Sequence, residues 1–314
     1  MSKIAITDYI TNPDIEKKIL GDLISTEVNE ETEVLLVWHE KIDHTYIKRL
    51  PKLKAVQRYG VGYDTLDLKI LESKGIIACN NPEYGIDEVS DTTIAMIMNI
   101  ARGLIMYNNS AKNYYANWQE NVNRKIKRNS ELTVGVIGAG RIGGSVILKC
   151  KSLNFNVVFY DKYKDYGYEK MLAAKRLDSL EETLEVSDIT SIHVPLNDET
   201  KAMIDQSFIN NMKYGSSLVN TARGGLFSDM DILYDAIKTD RIYQIATDVL
   251  PQEPPVSGKL IDAWRCSEEW INGRLIINPH TSFYSNESII EMRVKAAQNA
   301  LRLYVNEIPR NRII

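Results

Sequence analysis

Leu132-Thr133-Val134-Gly135-Val136-Ile137-Gly138-Ala139-Gly140-Arg141-Ile142-Gly143 decides how this chain is read. Its first six residues are mostly apolar and β-branched, the pattern of a buried strand. Gly138 to Gly143 spells G-x-G-x-x-G, and Ile142, Val146 and Ile147 then recur at helical spacing up to Cys150. A second strand, Asn156 to Tyr160, ends on Asp161. In such a run the first glycine makes a tight turn, the second lets backbone approach a pyrophosphate, and the third lets helix and strand pack closely. The phosphates meet the free N–H groups and positive dipole end of the helix. An acid at the tip of the next strand accepts from an adenosine ribose. The order therefore predicts one half of a Rossmann fold, with Gly138, Gly140, Arg141, Ile142 and Gly143 at the pyrophosphate and Asp161 at the ribose. Asp161 would repel a 2′-phosphate, which argues for NAD over NADP, although Lys162 and Lys164 soften that argument.

The rest of the composition sets bounds. At 314 residues the chain has room for two domains, each with its own core. Charged residues make up 25% and hydrophobic ones 44%, which is ordinary for a globular protein. A net charge of −4 gives no electrostatic case for nucleic acid or an anionic membrane. The basic cluster Arg124-Lys125-Ile126-Lys127-Arg128 reads as a solvated loop before a strand. No apolar stretch approaches the roughly 18 residues of a membrane span, and no signal peptide opens the chain. Cys79, Cys150 and Cys266 are isolated, with no CxxC, so the expectation is a reducing cytoplasm and no metal site.

Working outward, the first hundred residues alternate strands (Ile4–Thr7, Val34–Trp38, Ala55–Tyr59, Ile76–Cys79) with helices (Asp14–Leu23, one near Tyr46–Leu50, Leu66–Ser73). That alternation predicts a parallel sheet covered on both faces. A long helix from Asp87 or Glu88 to about Tyr107 has Ile94, Ile97, Met98 and Ala101 on one face and no strong stop. It reads as a connection between domains, and the polar stretch 108–130, interrupted by Trp118, leads on to the glycine-turn strand. After Asp161 the expected elements are helix Asp178–Val186, strand Ile189–Val194, helix Lys201–Met212, strand Ser217–Asn220, helix Asp229–Lys238, strands Gln244–Thr247 and Leu275–Ile277, and a helix from about Ser285 to Tyr304. The predicted division is residues 1–105, completed by 285–314, against 106–284. No internal repeat is present.

In doubly wound sheets ligands bind outside the carboxyl ends of the strands. Those ends in the second half carry Gly138, Asp161, Val194-Pro195, Thr221-Ala222-Arg223, Asp248 and His280. One rim thus offers a phosphate turn, a ribose acceptor, an apolar wall, a guanidinium, a carboxylate and an imidazole.

These residues make the chain resemble the D-isomer-specific 2-hydroxyacid dehydrogenase family. The matching motifs are Gly138–Gly143, Ser191-Ile192-His193-Val194-Pro195-Leu196, Asn220-Thr221-Ala222-Arg223-Gly224-Gly225, Asp248-Val249-Leu250-Pro251-Gln252-Glu253-Pro254 and Asn278-Pro279-His280-Thr281. The likeness begins near Arg58-Tyr59-Gly60-Val61-Gly62-Tyr63-Asp64 and runs almost to the end. The resemblance implies a homodimer of two doubly wound α/β domains, a Rossmann NAD-binding domain and a flavodoxin-like substrate domain completed by the C-terminal helix. It implies hydride transfer between C4 of a nicotinamide and C2 of a 2-oxo acid, a small-molecule substrate. His280 takes the acid/base position, a role that suits an imidazole because the carbonyl oxygen gains charge during reduction. Glu253 would hold the other ring nitrogen and stabilise the protonated form. Arg223 would clamp the carboxylate and polarise the carbonyl with its planar fork. Gly60, Val61 and Gly62 would offer N–H groups to that carboxylate, and Tyr84 and Tyr284 match pocket positions. Thr92, Val194, Pro195, Thr221, Ala222 and Asp248 match cofactor-side positions, Asp248 towards the nicotinamide. His193 reads as a packing or ribose-side residue, and His39 and His44 as surface residues.

The chain departs from the common pattern where Ser90-Asp91-Thr92 replaces an Ala-Glu-His run. It also has a long connection between Glu253 and His280 that carries Trp264 and Trp270, either as walls of an apolar pocket or as packing. With Phe283-Tyr284 and Glu291-Met292-Arg293, these details are similar to the branch containing the C-terminal-binding-protein corepressors. Glu253, where a glutamine would otherwise stand, disfavours the formate-dehydrogenase branch. Two other readings stay open: an NAD(H)-sensing dimeric scaffold with little turnover, and oxidation of an inorganic anion such as phosphite gripped by Arg223.

Overall fold

The computed structural model describes residues 2–112, 118–120 and 122–314. It divides into two compact units, Met1–Gly85 with Tyr284–Ile314, and Ile86–Phe283. In the first, strands β1 (Ile4–Ile6), β2 (Ile24–Ser25), β3 (Val34–Val37), β4 (Ala55–Arg58) and β5 (Ile77–Cys79) form a parallel sheet in the order β2-β1-β3-β4-β5. This is the flavodoxin-like order expected of the N-terminal half. All four residues of β3 are buried, as a strand covered on both faces requires. Leu35, Val37, Val56, Ile42 and Leu71 meet in its core. β2 is only two residues long and has no legible strand signal in the sequence.

The helix Asn286–Tyr304 belongs to this unit. Ser285 and Ser288 form a reciprocal cap at its start, and buried Ala296, Ala297 and Ala300 give it a flat apolar side. Arg293 ties it to the N-terminal helix Asp14–Leu20: Nε donates to Glu16 Oε1 at 2.9 Å and Nη2 to Oε2 at 2.6 Å. The Tyr59 hydroxyl donates to the same carboxylate at 3.0 Å, and Glu16 is 0% exposed.

The second unit holds β6 (Thr133–Ile137), β7 (Asn156–Tyr160), β8 (Lys175–Arg176), β9 (Ile189–Ile192), β10 (Ser216–Asn220), β11 (Ile242–Thr247) and β12 (Leu275–Ile277). All are parallel, in the order β12-β11-β10-β9-β6-β7-β8. The sequence direction reverses between β6 and β9, the switch point at which such sheets bind dinucleotides.

Several expectations change here. The long helix is two, Ile86–Arg102 and Leu104–Lys112. Gly103 separates them at φ +63°, a left-handed conformation that glycine adopts without strain, and Asn99 Oδ1 accepts the Ile105 N–H. The helix Ile86–Arg102 does not stand between units. Met96, Ile97, Ile100 and Ala101 share a core with Val134, Val146 and Ile147, so the division falls at Gly85 rather than at 105. The predicted helix Lys201–Met212 shrinks to Gln206–Asn211, because the Asp205 carboxylate accepts the Phe208 N–H at 2.8 Å and starts the helix there. Two short helices, Tyr168–Leu172 and Lys259–Arg265, have no counterpart among the expected elements. Trp264 and Trp270 pack against the core of this unit, and Trp270 meets Tyr234 edge-on at 5.0 Å, which favours the packing alternative for the long connection. Of the stretch 108–130, residues 113–117 and 121 lie outside the described residues.

Candidate active site

The glycine turn has the geometry its spacing requires. Gly138 has φ +90°, and a Cβ there would lie 2.8 Å from the His193 carbonyl oxygen. A Cβ on Gly143 would lie 1.9 Å from the Gly138 carbonyl oxygen, so helix and turn close together only because Gly143 has no side chain. Gly140 differs: nothing lies within 4 Å of its Cβ position, which leaves open the face where a pyrophosphate would rest. Gly140 is also the N-cap of helix Arg141–Ser152, with no side chain competing for the first-turn N–H groups. Arg141 is exposed and Ile142 half-buried at that start. The turn thus fits a dinucleotide. Gly143→Ala should displace the turn, cost about 1–3 kcal/mol of stability through overpacking, and weaken NADH binding. Thermal unfolding and NADH fluorescence would check both, and an unchanged affinity would contradict the role of the turn.

At the end of β7, Asp161 accepts the Ala139 N–H at 2.8 Å and the Tyr163 N–H at 2.9 Å. It pins the glycine turn and retains lone pairs for ribose hydroxyls. Val194 and Ala222 are half-buried against the core, Pro195 is exposed, and a Val194 methyl comes within 3.0 Å of the Gly138 Cβ position. Thr221 is buried, and its hydroxyl bonds that of Thr93 at 2.8 Å. Thr92, the position expected from the family, is half-buried on the same helix. His193 bonds Ser191 Oγ through Nε2 at 2.8 Å, and burial pushes its pKa down to about 3, so it stays uncharged and acts in packing.

β10, β11 and β12 deliver the three reactive groups to one edge. His280 Nδ1 and Glu253 Oε2 are 2.7 Å apart, and Glu253 Oε1 accepts the Leu250 N–H at 2.8 Å. Burial acts to raise the Glu253 pKa. The His280 hydrogen bond, the Leu250 N–H and the charges of His280 and Arg223 outweigh it and hold the carboxyl below its ordinary range. Arg223 Nη1 donates to the Ala222 carbonyl at 2.7 Å. The next residue, Gly224, would place a Cβ 1.9 Å from the Leu250 carbonyl oxygen. Only glycine lets the Arg223 loop lie against the loop that carries Glu253.

Asp248 holds the histidine. It is 2% exposed; its carbonyl accepts the His280 N–H at 2.8 Å, and its carboxylate accepts the N–H groups of Thr281 and Ser282 at 3.0 Å each. His280 sits at φ +55°, a conformation that costs a non-glycine residue on the order of 1–3 kcal/mol. Three consecutive N–H groups closing on one buried aspartate hold it there. The carboxylate expected towards the nicotinamide thus also holds this loop.

In the first unit, the Gly60–Gly62 loop follows β4. Asn80 Nδ2 donates to the Val61 carbonyl at 2.6 Å, and the Asn81 N–H to the Gly60 carbonyl at 3.3 Å. Tyr84 is buried at 8% exposure, whereas Tyr284 is 59% exposed with its hydroxyl donating to Asn286 at 3.2 Å. Asn80, Asn81, Thr93 and Asn220, which bonds both Ala222 N–H and the Arg223 carbonyl, escape a reading of the sequence. Their one signal is polarity next to a loop-forming motif. Among the described residues no helix is long and apolar enough to cross a membrane, and no cluster of His, Cys, Asp and Glu could hold a metal ion.

Comparison with known proteins agrees with this geometry. The family model for the D-isomer specific 2-hydroxyacid dehydrogenase, NAD binding domain, matches residues 94–282. A glyoxylate reductase of Korarchaeum cryptofilum is 30% identical over 276 residues, which span 87% of this chain and 79% of that protein. A D-3-phosphoglycerate dehydrogenase of Methanocaldococcus jannaschii is 32% identical over 277 residues, 83% of this chain but 51% of that protein, so the match spans about half its length. Among solved structures, a D-lactate dehydrogenase from Aquifex aeolicus complexed with NAD and lactic acid has a TM-score of 0.85 at 26% identity, covering 97% of this chain and 96% of that one. With the switch-point glycine turn and the family match over most of the second unit, the chain belongs to the D-isomer-specific 2-hydroxyacid dehydrogenase family.

Proposed function

We propose that this protein is an NAD-dependent D-2-hydroxyacid dehydrogenase that works as a 2-oxo acid reductase, with His280 as its acid/base. The observation that carries the proposal is the 2.7 Å contact between His280 and a Glu253 carboxylate held in its charged form. NAD, when bound as NADH, supplies the hydride for C2 of the oxo acid. Arg223 grips the substrate carboxylate and draws electron density towards the carbonyl oxygen. With Nδ1 engaged by Glu253, His280 donates the proton from Nε2 to that oxygen as it becomes an alkoxide. Glu253 stabilises the imidazolium, and Asp248 fixes the backbone that carries it. In the first unit, which we read as the substrate domain, Gly60, Val61 and Gly62 are the proposed N–H donors to the carboxylate, and Tyr84 and Tyr284 the proposed pocket residues. Asn80 and Asn81 hold that loop through its carbonyl oxygens, a mode of anchoring that does not use its N–H groups. The family resemblance supports a homodimer, and the three cysteines without a CxxC support a cytoplasmic setting.

NADH carrying deuterium on both C4 positions tests the reaction. A D-2-hydroxy acid with deuterium at C2 is the expected product; an L-product, or deuterium absent from C2, would overturn the assignment. Glu253→Gln tests the pair. Glutamine keeps the shape but removes the negative charge that faces the imidazole at 2.7 Å, so the variant should lose reductive kcat/KM. An unchanged kcat/KM would separate Glu253 from the proton transfer.

A further inference from the structure

The loops that follow β7 and β9 are tied together. Lys162 Nζ lies 3.3 Å from both carboxylate oxygens of Glu199, and the Tyr163 hydroxyl donates to the same carboxylate. β6 stands between β7 and β9 in the sheet. With neighbouring strands about 4.8 Å apart, β7 and β9 are roughly 10 Å apart, and these contacts join the loops that follow them. Asp161, the proposed ribose acceptor, is the residue before Lys162.

The charges around that position do not favour an unphosphorylated ribose by themselves. Lys162, Lys164 and Arg176 lie near Asp161, three cations in a stretch that carries the carboxylates of Asp161 and Asp165. Two of the cations are already engaged. Arg176 donates to the carbonyls of Asp161 at 3.0 Å and Lys164 at 2.7 Å, and Lys164 sits 4.9 Å over the Tyr168 ring. Lys162 is the remaining one, and Glu199 neutralises it. Both side chains of this pair are more than half exposed, at 58% and 54%, so the contact contributes little to folding and opens readily.

We propose that Glu199, together with Asp161, sets the preference for NADH over NADPH, by occupying Lys162 and the Tyr163 hydroxyl. The inference rests on the reading of Asp161 as the ribose acceptor. Hydrogen bonds from Tyr163 and then Lys162 hold the Glu199 carboxyl below its usual range, so it is charged throughout the neutral range. Without that charge, Lys162 and Tyr163 become donors for a 2′-phosphate, a group to which ammonium and hydroxyl hydrogen bonds are short and strong.

The test is fluorescence titration of NADH and NADPH, which needs no turnover, on the parent protein, Glu199→Gln, and Glu199→Gln combined with Lys162→Met. Glu199→Gln should tighten NADPH by about tenfold, the scale of a single charge-assisted hydrogen bond to phosphate, and move NADH far less. Adding Lys162→Met should remove most of that gain. An unchanged ratio of the two affinities in Glu199→Gln, or a tightening that survives Lys162→Met, would overturn the proposal while leaving the dehydrogenase assignment intact. Failure of the parent protein to bind either dinucleotide would overturn both.

Discussion

His280→Ala lowers turnover by roughly 10²–10⁴-fold, the usual worth of a positioned general acid, and leaves NADH affinity close to that of the parent protein. The loss follows from where charge develops. Hydride arriving at C2 makes the carbonyl oxygen strongly basic, and His280 is the titratable group that Glu253 braces at 2.7 Å. Affinity survives because the proposed dinucleotide contacts lie on other strand ends, at Gly138–Gly143 and Asp161. The backbone matters as much as the ring. His280 at φ +55° is held by Asp248, so the alanine variant keeps its loop only if the three N–H contacts to Asp248 persist. Steady-state rates with a 2-oxo acid, beside NADH fluorescence titration, separate the two effects. Equal loss of binding and turnover would point to a collapsed loop rather than a missing proton donor.

The second large effect concerns stability. Arg293→Met should destabilise the first unit by about 3–5 kcal/mol, because it strands a buried carboxylate without its cation. Glu16 is 0% exposed and accepts two hydrogen bonds from Arg293 Nε and Nη2, and methionine supplies neither. The Tyr59 hydroxyl remains, but a neutral donor does not offset a buried charge. Adding Glu16→Leu should recover most of the loss, since an apolar pair of similar volume often equals a buried ion pair. Urea unfolding followed by fluorescence would read this, with Trp38, 5.6 Å from Tyr59, as the reporter in the first unit. A single variant as stable as the parent would show that the Arg293–Glu16 contact does not anchor the helix Asn286–Tyr304.

What can be read from the sequence follows from how each signal is built. The Gly138–Gly143 turn is legible because three glycines at fixed spacing have few other reasons to exist. The pair Glu253 and His280 is legible only through the family resemblance: they stand 27 positions apart, and no periodicity brings them together. Asp248 is recognisable as a candidate site residue, but its hold on the His280 loop is not. Its role depends on three backbone groups at 280–282, which a side-chain pattern does not encode. Gly103 has the residue type of a helix stop, yet the apolar face through Ala101 and on to Ile105 conceals it. The division near residue 85 is hidden for a related reason: Met96, Ile97, Ile100 and Ala101 look the same whether they cover one core or link two. Asn220 lies inside a recognisable motif and Asn80 and Asn81 do not, and it is the fold that makes them fix the Arg223 and Gly60–Gly62 loops.

The most direct measurement is NADH oxidation by the purified protein, followed by absorbance, against glyoxylate, pyruvate, hydroxypyruvate and phenylpyruvate. The expected result is oxidation with at least one of them, abolished in His280→Ala. Tight NADH binding with no oxidation across the series would contradict the dehydrogenase assignment and turn the reading towards a dinucleotide sensor.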